Sequence, residues 1–518
     1  MHSHLASSLL VAALSQAGQN TSYDISIAKT APAGASAVPA DFFGFGWESG
    51  LVPHYNNTFS ENIVNEIGSR MSKPLVIRIG GTSGDHIFFR ADQKNATTCT
   101  SGWACNLNSK DTFYIGPSYF DTLKRFKNAS MSVQAPMQVN PEMKNTMAYI
   151  DHAWKALGQD RVDSIALGNE PNWYKYPENE NSVAQYVKAG KEIEERVVKE
   201  YSLTGDAARI FQVGEIASQG VKSDKFSLED VVKGFDKTGR SKLAALHFYQ
   251  LTEKFHDKSN YTAELLQEKL MNHTVIKNHL RPYAKDAAKI GSLPLVISEV
   301  GSALGNSPVW FGAGFGAAIW AVDFHLTAMV LGIKRVCNTE EPVATHSFWV
   351  PDHTTRHTTG PAVQGVFPAA AFIADFVGKD KLGKVSEIEL AEDQLLTGYV
   401  SYGLQSKKPQ RIALINMREW HKGSKYNRGT AKVTVDVGDG VKSAMARYLS
   451  SESGSFARGY DLGGEGEIVT WAGEHWSHKL KLGKGVFTSK PREHKLNVQN
   501  GKVMVPLRDT EAVMITVE

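Results

Sequence analysis

The stretch Ser164-Ile165-Ala166-Leu167-Gly168-Asn169-Glu170-Pro171 is a short, nearly continuous apolar run that ends in an acidic residue and a proline. Such runs suit parallel strands covered on both faces, because neither face alternates toward water. The pattern recurs in Leu295-Val296-Ile297-Ser298-Glu299-Val300-Gly301 and in Leu75-Val76-Ile77-Arg78-Ile79-Gly80. Working outward from these, eight strand candidates follow one another at 43–48, 75–80, 132–139, 164–169, 211–215, 244–249, 295–299 and 334–338. Helical patterns such as 183–200, 263–290 and 313–331 lie between them. Eight alternations predict an α/β chain folded as a (β/α)8 TIM barrel. A doubly wound open sheet is the other candidate, but no Gly-x-Gly-x-x-Gly turn follows the first strand.

After Gly378 the texture changes. Short strands at 385–390, 397–402, 411–416, 431–437, 444–448 and 503–506 are separated by turn signals such as Gly438-Asp439-Gly440 and Asn500-Gly501. This predicts a C-terminal antiparallel β-sandwich. The alternating segment 23–29 precedes a Pro/Ala/Gly-rich stretch and is expected to join that β-domain. The expected division is 1–17 signal peptide, 18–40 N-terminal strand, 41–380 catalytic barrel and 381–518 β-sandwich. The length of 518 residues accommodates a barrel of about 250 residues or more with a second domain.

Formal net charge is +3, and no run of Lys or Arg is dense enough to indicate nucleic acid. Residues 5–17 are apolar and end in Ser15-Gln16-Ala17, which reads as a signal peptide, too short to anchor in a bilayer. No other stretch reads as the roughly 18 apolar residues of a membrane span, so no membrane partner is expected. Sequons begin at Asn20, Asn56, Asn95, Asn128, Asn260 and Asn272. A secreted, N-glycosylated monomer is the expectation. Cys99 and Cys105 bracket a short loop and could bridge, whereas Cys337 sits in an apolar strand as a buried free thiol. No spacing resembles a zinc site, and neither metal nor organic cofactor is expected.

Barrel enzymes carry their chemistry at the C-terminal strand ends. Glu170 closes the fourth strand and Glu299 the seventh, across the mouth from each other. Glycoside hydrolysis needs a carboxylic acid to protonate the leaving oxygen and a carboxylate on the other side of the anomeric carbon. A separation of about 5–5.5 Å would give retention through a covalent intermediate. Glu170 is therefore the expected acid/base and Glu299 the nucleophile, with the Asn169 amide donating to the sugar 2-hydroxyl. Either Glu alone would read equally well as a surface carboxylate; the pair beside Asn169 carries the argument.

Several neighbours are candidate substrate-binding or tuning groups. Arg78 would keep Glu299 ionised, or form a structural ion pair under the rim. His247 and Tyr249 share a face of strand six, where the Tyr hydroxyl would tune Glu299. Asn140 and Glu48 are candidate ligands for sugar hydroxyls. Trp47, Trp173 and Trp349 are stacking platforms or core aromatics. Glu215 reads as structural, and Asp85 as an anchor for the Gly-rich turn.

Phe43-Gly44-Phe45-Gly46-Trp47-Glu48, Arg78-Ile79-Gly80-Gly81-Thr82-Ser83-Gly84-Asp85, Gln138-Val139-Asn140-Pro141 and Leu167-Gly168-Asn169-Glu170-Pro171-Asn172 resemble glycoside hydrolase family 79. This is the β-glucuronidase and heparanase family of clan A, and the likeness to its fungal branch takes in nearly the whole chain. The resemblance implies exo-cleavage of a terminal β-linked sugar with retention, β-glucuronides first. It also implies that a tyrosine hydroxyl and backbone amides after strand eight hold the sugar carboxylate. Here no tyrosine occurs between Tyr283 and Tyr399. His346, His353, Arg356 and His357 are the replacement donors in reach. Alternatively the sugar is a neutral β-glucoside, since Glu340 and Glu341 would repel an acid if they face the site. Endo-cleavage of a heparan-like chain and an inactive carbohydrate-binding barrel complete the alternatives.

Overall fold

The computed structural model describes residues 20–100, 111–138, 142–177, 182–217, 226–253, 255, 257–305, 307–355, 357–380, 382–390, 395–488 and 492–518. Eight parallel strands close into a barrel: Phe43–Glu48, Leu75–Gly80, Ala129–Ala135, Val162–Leu167, Phe211–Ile216, Ser241–Leu251, Leu295–Ala303 and Arg335–Glu340. The last pairs with the first, Glu340 beside Trp47, which excludes the open doubly wound sheet. All nine residues of Leu295–Ala303 are buried, as a strand covered on both faces requires.

Boundaries differ from the expectation where local chemistry intervenes. Strand three starts at Ala129 and ends at Ala135 rather than covering 132–139, because Pro136 has no N–H to continue the ladder. The helical pattern 263–290 is two helices, Ala263–Lys269 and His273–Lys289, because Asn272 caps the second by accepting from Val275 N at 3.2 Å. The helical stretch Val309–Val330 is apolar and long enough by composition to cross a bilayer, contrary to the sequence reading. It is a core helix: 94% of its most apolar window is buried inside the protein.

The β-domain packs a three-stranded sheet against a larger one around a core that includes Val400, Ile412, Val433, Val505 and Ile515. Asn20–Ser26 pairs in parallel with Thr430–Asp436, so the N-terminal strand lies in the smaller sheet. Glu511–Val517, absent from the predicted strands, is inserted between Pro409–Asn416 and Ala444–Ser451. Barrel and β-domain meet through packed side chains. Phe372 lies against Trp471 with ring centroids 4.6 Å apart, and Asp375 accepts from Trp471 Nε1 at 2.7 Å and from Arg70 at 2.9 Å. Each such fully buried aromatic stabilises the junction by about 2–3 kcal/mol.

Candidate active site

The mouth of the barrel is an ionic network. Glu170 follows the end of strand four in a left-handed conformation (φ 48°), a strained state for a non-glycine residue and one that clusters at functional sites. Its backbone N–H donates to Glu215 O at 2.8 Å, which ties the ends of strands four and five. Glu299 is in strand seven, paired in register with His247 of strand six.

Arg78 organises the floor. It donates to Glu299 Oε2 at 2.9 Å, Asn169 Oδ1 at 2.6 Å and Glu215 Oε2 at 2.9 Å. Accepting from Arg78 leaves the Asn169 amide NH2 as its remaining donor group. His247 is fully buried, with Nε2 2.9 Å from Glu215 and Nδ1 3.1 Å from Glu170 Oε1 and 3.6 Å from Glu299 Oε2. One oxygen each from Glu170 and Glu299 and a nitrogen of His247 lie within 4.8 Å of one another. Tyr249 donates to the other Glu299 oxygen at 2.6 Å.

These contacts set the charges. Burial alone would raise the Glu299 carboxyl, but His247, Arg78 and the Tyr249 hydroxyl together hold it below its usual value. Against the same burial, Arg78 and His247 draw Glu215 down to about 2. His247 rises to about 10: burial opposes its charge, but Glu299, Glu170 and Glu215 outweigh it, so it is an imidazolium at neutral pH. Burial pushes Glu48 up to about 7, and the Glu299 charge adds to this while hydrogen bonds from Ser83 oppose it.

Two glycines in the second-strand motif are dictated by this packing. A Cβ on Gly80 would overlap the Arg78 guanidinium. A Cβ on Gly81, where φ is 91°, would overlap the Glu48 carboxylate. The following turn supplies Ser83, whose N–H and hydroxyl both donate to Glu48. Asp85 anchors this turn to strand four, accepting from Tyr174 OH at 2.7 Å and from Asn169 N at 3.3 Å.

Several predicted binding residues have other roles. Trp349 is completely buried; its Nε1 donates to Ser60 Oγ at 3.2 Å and its ring packs on Phe45, so it fills the core and is no sugar platform. Trp47 stacks on Tyr55 in the same cluster. Only Trp173 of the three is open, 56% exposed on the turn after Glu170. His346 is buried beside Tyr249, with Nδ1 2.9 Å from the Ala303 carbonyl. Burial lowers it to about 4, so it is neutral and brings no positive charge to a sugar acid. Glu340 turns away from the mouth and accepts the backbone N–H groups of Phe348 and Trp349. Asn140, Arg356 and Cys105 lie outside the described residues. Cys99 is disulfide-bonded, and Cys337 is a buried free thiol whose burial raises it to about 12. Sequence reasoning missed Ser83, Tyr174 and Ser298, the last of which donates to Glu215 at 2.9 Å. Ser83 and Ser298 stand within or beside motifs already singled out, which was the available signal.

One glutamate just past the end of strand four on the open rim faces a tightly ion-paired one inside strand seven, which runs on to Ala303 rather than ending at Glu299 as expected. This is the arrangement of a glycoside hydrolase. The profile described as the glycosyl hydrolase family 79 C-terminal beta domain matches residues 398–514. A β-glucuronidase of Neurospora crassa is 24% identical over 432 residues, covering 77% of this chain and 75% of the relative. A β-glucuronidase of Aspergillus niger is 24% identical over 534 residues, covering 94% of each. Among solved structures, a 4-O-alpha-L-rhamnosyl-beta-D-glucuronidase from Fusarium oxysporum 12S superposes with a TM-score of 0.76 at 19% identity, covering 95% of this chain and all of that one. The C-terminal match and the fungal relatives together support a likeness to glycoside hydrolase family 79.

Proposed function

We propose that the protein is a secreted exo-acting β-glucuronidase that works with retention of configuration. The observation that carries this reading is the triangle of Glu170, Glu299 and His247, whose facing atoms lie within 4.8 Å of one another. That separation matches double displacement and leaves no room for the water an inverting enzyme places between its carboxylates. Glu299, paired with Arg78 and Tyr249, is the ionised nucleophile that attacks the anomeric carbon. Glu170, with its side chain 26% exposed and paired with His247, protonates the departing oxygen. It then takes the proton from the water that releases the glycosyl-enzyme. The Asn169 NH2 faces the sugar 2-hydroxyl, and its bond strengthens as the oxocarbenium-like state forms.

The relatives named above supply the substrate class, and the loop after strand eight is compatible with it. Glu340 is committed to backbone N–H groups. Burial, with the charges of Glu48 and Glu299, raises Glu341 well above the usual carboxylate range, which weakens its repulsion of an acidic sugar. A second reading, hydrolysis of neutral β-glucosides, rests on the missing tyrosine between Tyr283 and Tyr399. Side-by-side rates on aryl β-glucuronide and aryl β-glucoside decide: faster glucuronide turnover supports the first reading and faster glucoside turnover the second.

Secretion is part of the same proposal. Asn56, Asn95, Asn128 and Asn260 are exposed, as glycan acceptors must be, and Cys99 is oxidised. Mass spectrometry of the protein from its native source should show glycans at these sites; unmodified asparagines throughout would count against passage through the secretory route.

A further inference from the structure

Outside the catalytic network, His54, Asp352 and His353 bring three metal-binding groups together at the rim of the barrel mouth. His54 belongs to the helical turn Ser49–Tyr55 after strand one, and Asp352 and His353 to the loop that follows strand eight. His54 Nδ1 lies 2.6 Å from Asp352 Oδ2, and His353 Nδ1 lies 2.9 Å from Asp352 Oδ1. The two imidazoles thus flank opposite oxygens of one carboxylate, and all three ligand atoms fall within 4.8 Å of one another. Among the described residues, Asp352 Oδ1 is nevertheless a buried oxygen without a hydrogen-bond partner.

The scaffold is fixed. The Asn57 side chain donates both to His54 O at 2.8 Å and to Pro351 O at 3.2 Å, so one amide pins the two loops beside their ligands. Asn57 is itself held as the N-cap of Thr58–Gly68, accepting from Ser60 N at 2.8 Å.

We propose that His54, Asp352 and His353 form a divalent transition-metal site, with zinc as the natural fit, that staples the loop after strand one to the loop after strand eight. Two imidazoles and one carboxylate are a borderline donor set that favours zinc, nickel or copper over magnesium or calcium. Zinc bonds of about 2.0–2.1 Å place tetrahedral ligand atoms roughly 3.3 Å apart, so the separations need change by no more than about 1.5 Å. Water completes the fourth position. The site has no part in the hydrolytic steps.

Titration calorimetry of the chelator-stripped full chain with zinc chloride near neutral pH tests the proposal. Three proteins are compared: the unaltered chain, the His54→Ala/His353→Ala double variant and Glu299→Gln. The last is included because Glu170, His247 and Glu299 also cluster. One zinc should bind the unaltered chain and Glu299→Gln alike, with affinity falling at least about ten-fold in the double variant. Zinc should raise the melting temperature of the first two and leave that of the double variant unchanged. His353→Gln, at a side chain 59% exposed, provides a milder substitution should the double variant misfold, and it too should weaken binding. No binding at millimolar zinc, undiminished binding in the histidine variants, or binding lost in Glu299→Gln would each overturn the proposal.

Discussion

Tyr249 holds Glu299 by a 2.6 Å hydrogen bond to the carboxylate oxygen that Arg78 leaves free. The carboxylate proposed as nucleophile is thereby oriented on both sides. A hydrogen bond to a charged group is worth about 1.5–3 kcal/mol. Tyr249→Phe should therefore lower kcat about 10- to 100-fold with the fold intact, read from steady-state rates beside a melting curve. An unchanged kcat would show that Arg78 alone orients Glu299.

The two glutamates should separate by leaving group. Glu299→Gln should abolish turnover on every aryl glycoside. Glu170→Gln should cost about 10²- to 10⁴-fold on poor leaving groups and much less on activated phenols, which depart without a proton. The reverse dependence would exchange the two roles.

Stability should peak near pH 5. Glu215, at about 2 against an ordinary 4.5, stabilises the fold above 4.5 and loses that contribution as pH falls toward 2. Glu48, raised to about 7, acts the other way: the unfolded chain ionises first, so stability declines between 4.5 and 7. His247, raised to about 10, contributes fully below 6.5 and loses its share as pH rises through 10. Each shift is on the order of 3–5 kcal/mol, and those of Glu215 and His247 overlap because they share one contact. Melting temperatures from pH 3 to pH 10 check this, and a flat profile would contradict it.

Trp173 stands exposed on the turn directly after Glu170, a position that predicts stacking on the group leaving the sugar. Trp173→Ala should raise KM about three- to ten-fold for disaccharides while kcat changes little, the mark of binding energy common to ground and transition states. An equal fall in kcat would place the ring at the reacting centre.

Much of the barrel was legible because its strands are continuous apolar runs, which few other structures explain. The two glutamates were legible because each interrupts such a run at its C-terminal end. Glu511–Val517 was not, since a central strand buried on both faces lacks the alternation that marked its neighbours. Trp349 and Trp173 look alike in sequence; only packing puts one in the core and the other on the rim. Likewise, adjacency of Glu340 and Glu341 does not reveal which turns inward, and the neutrality of His346 follows from burial that spacing does not encode.

The most direct test of the central claim is time-resolved proton NMR of aryl β-glucuronide hydrolysis. The account predicts that β-glucuronic acid accumulates first and only then mutarotates. First appearance of the α-anomer would contradict the double displacement assigned to Glu170 and Glu299.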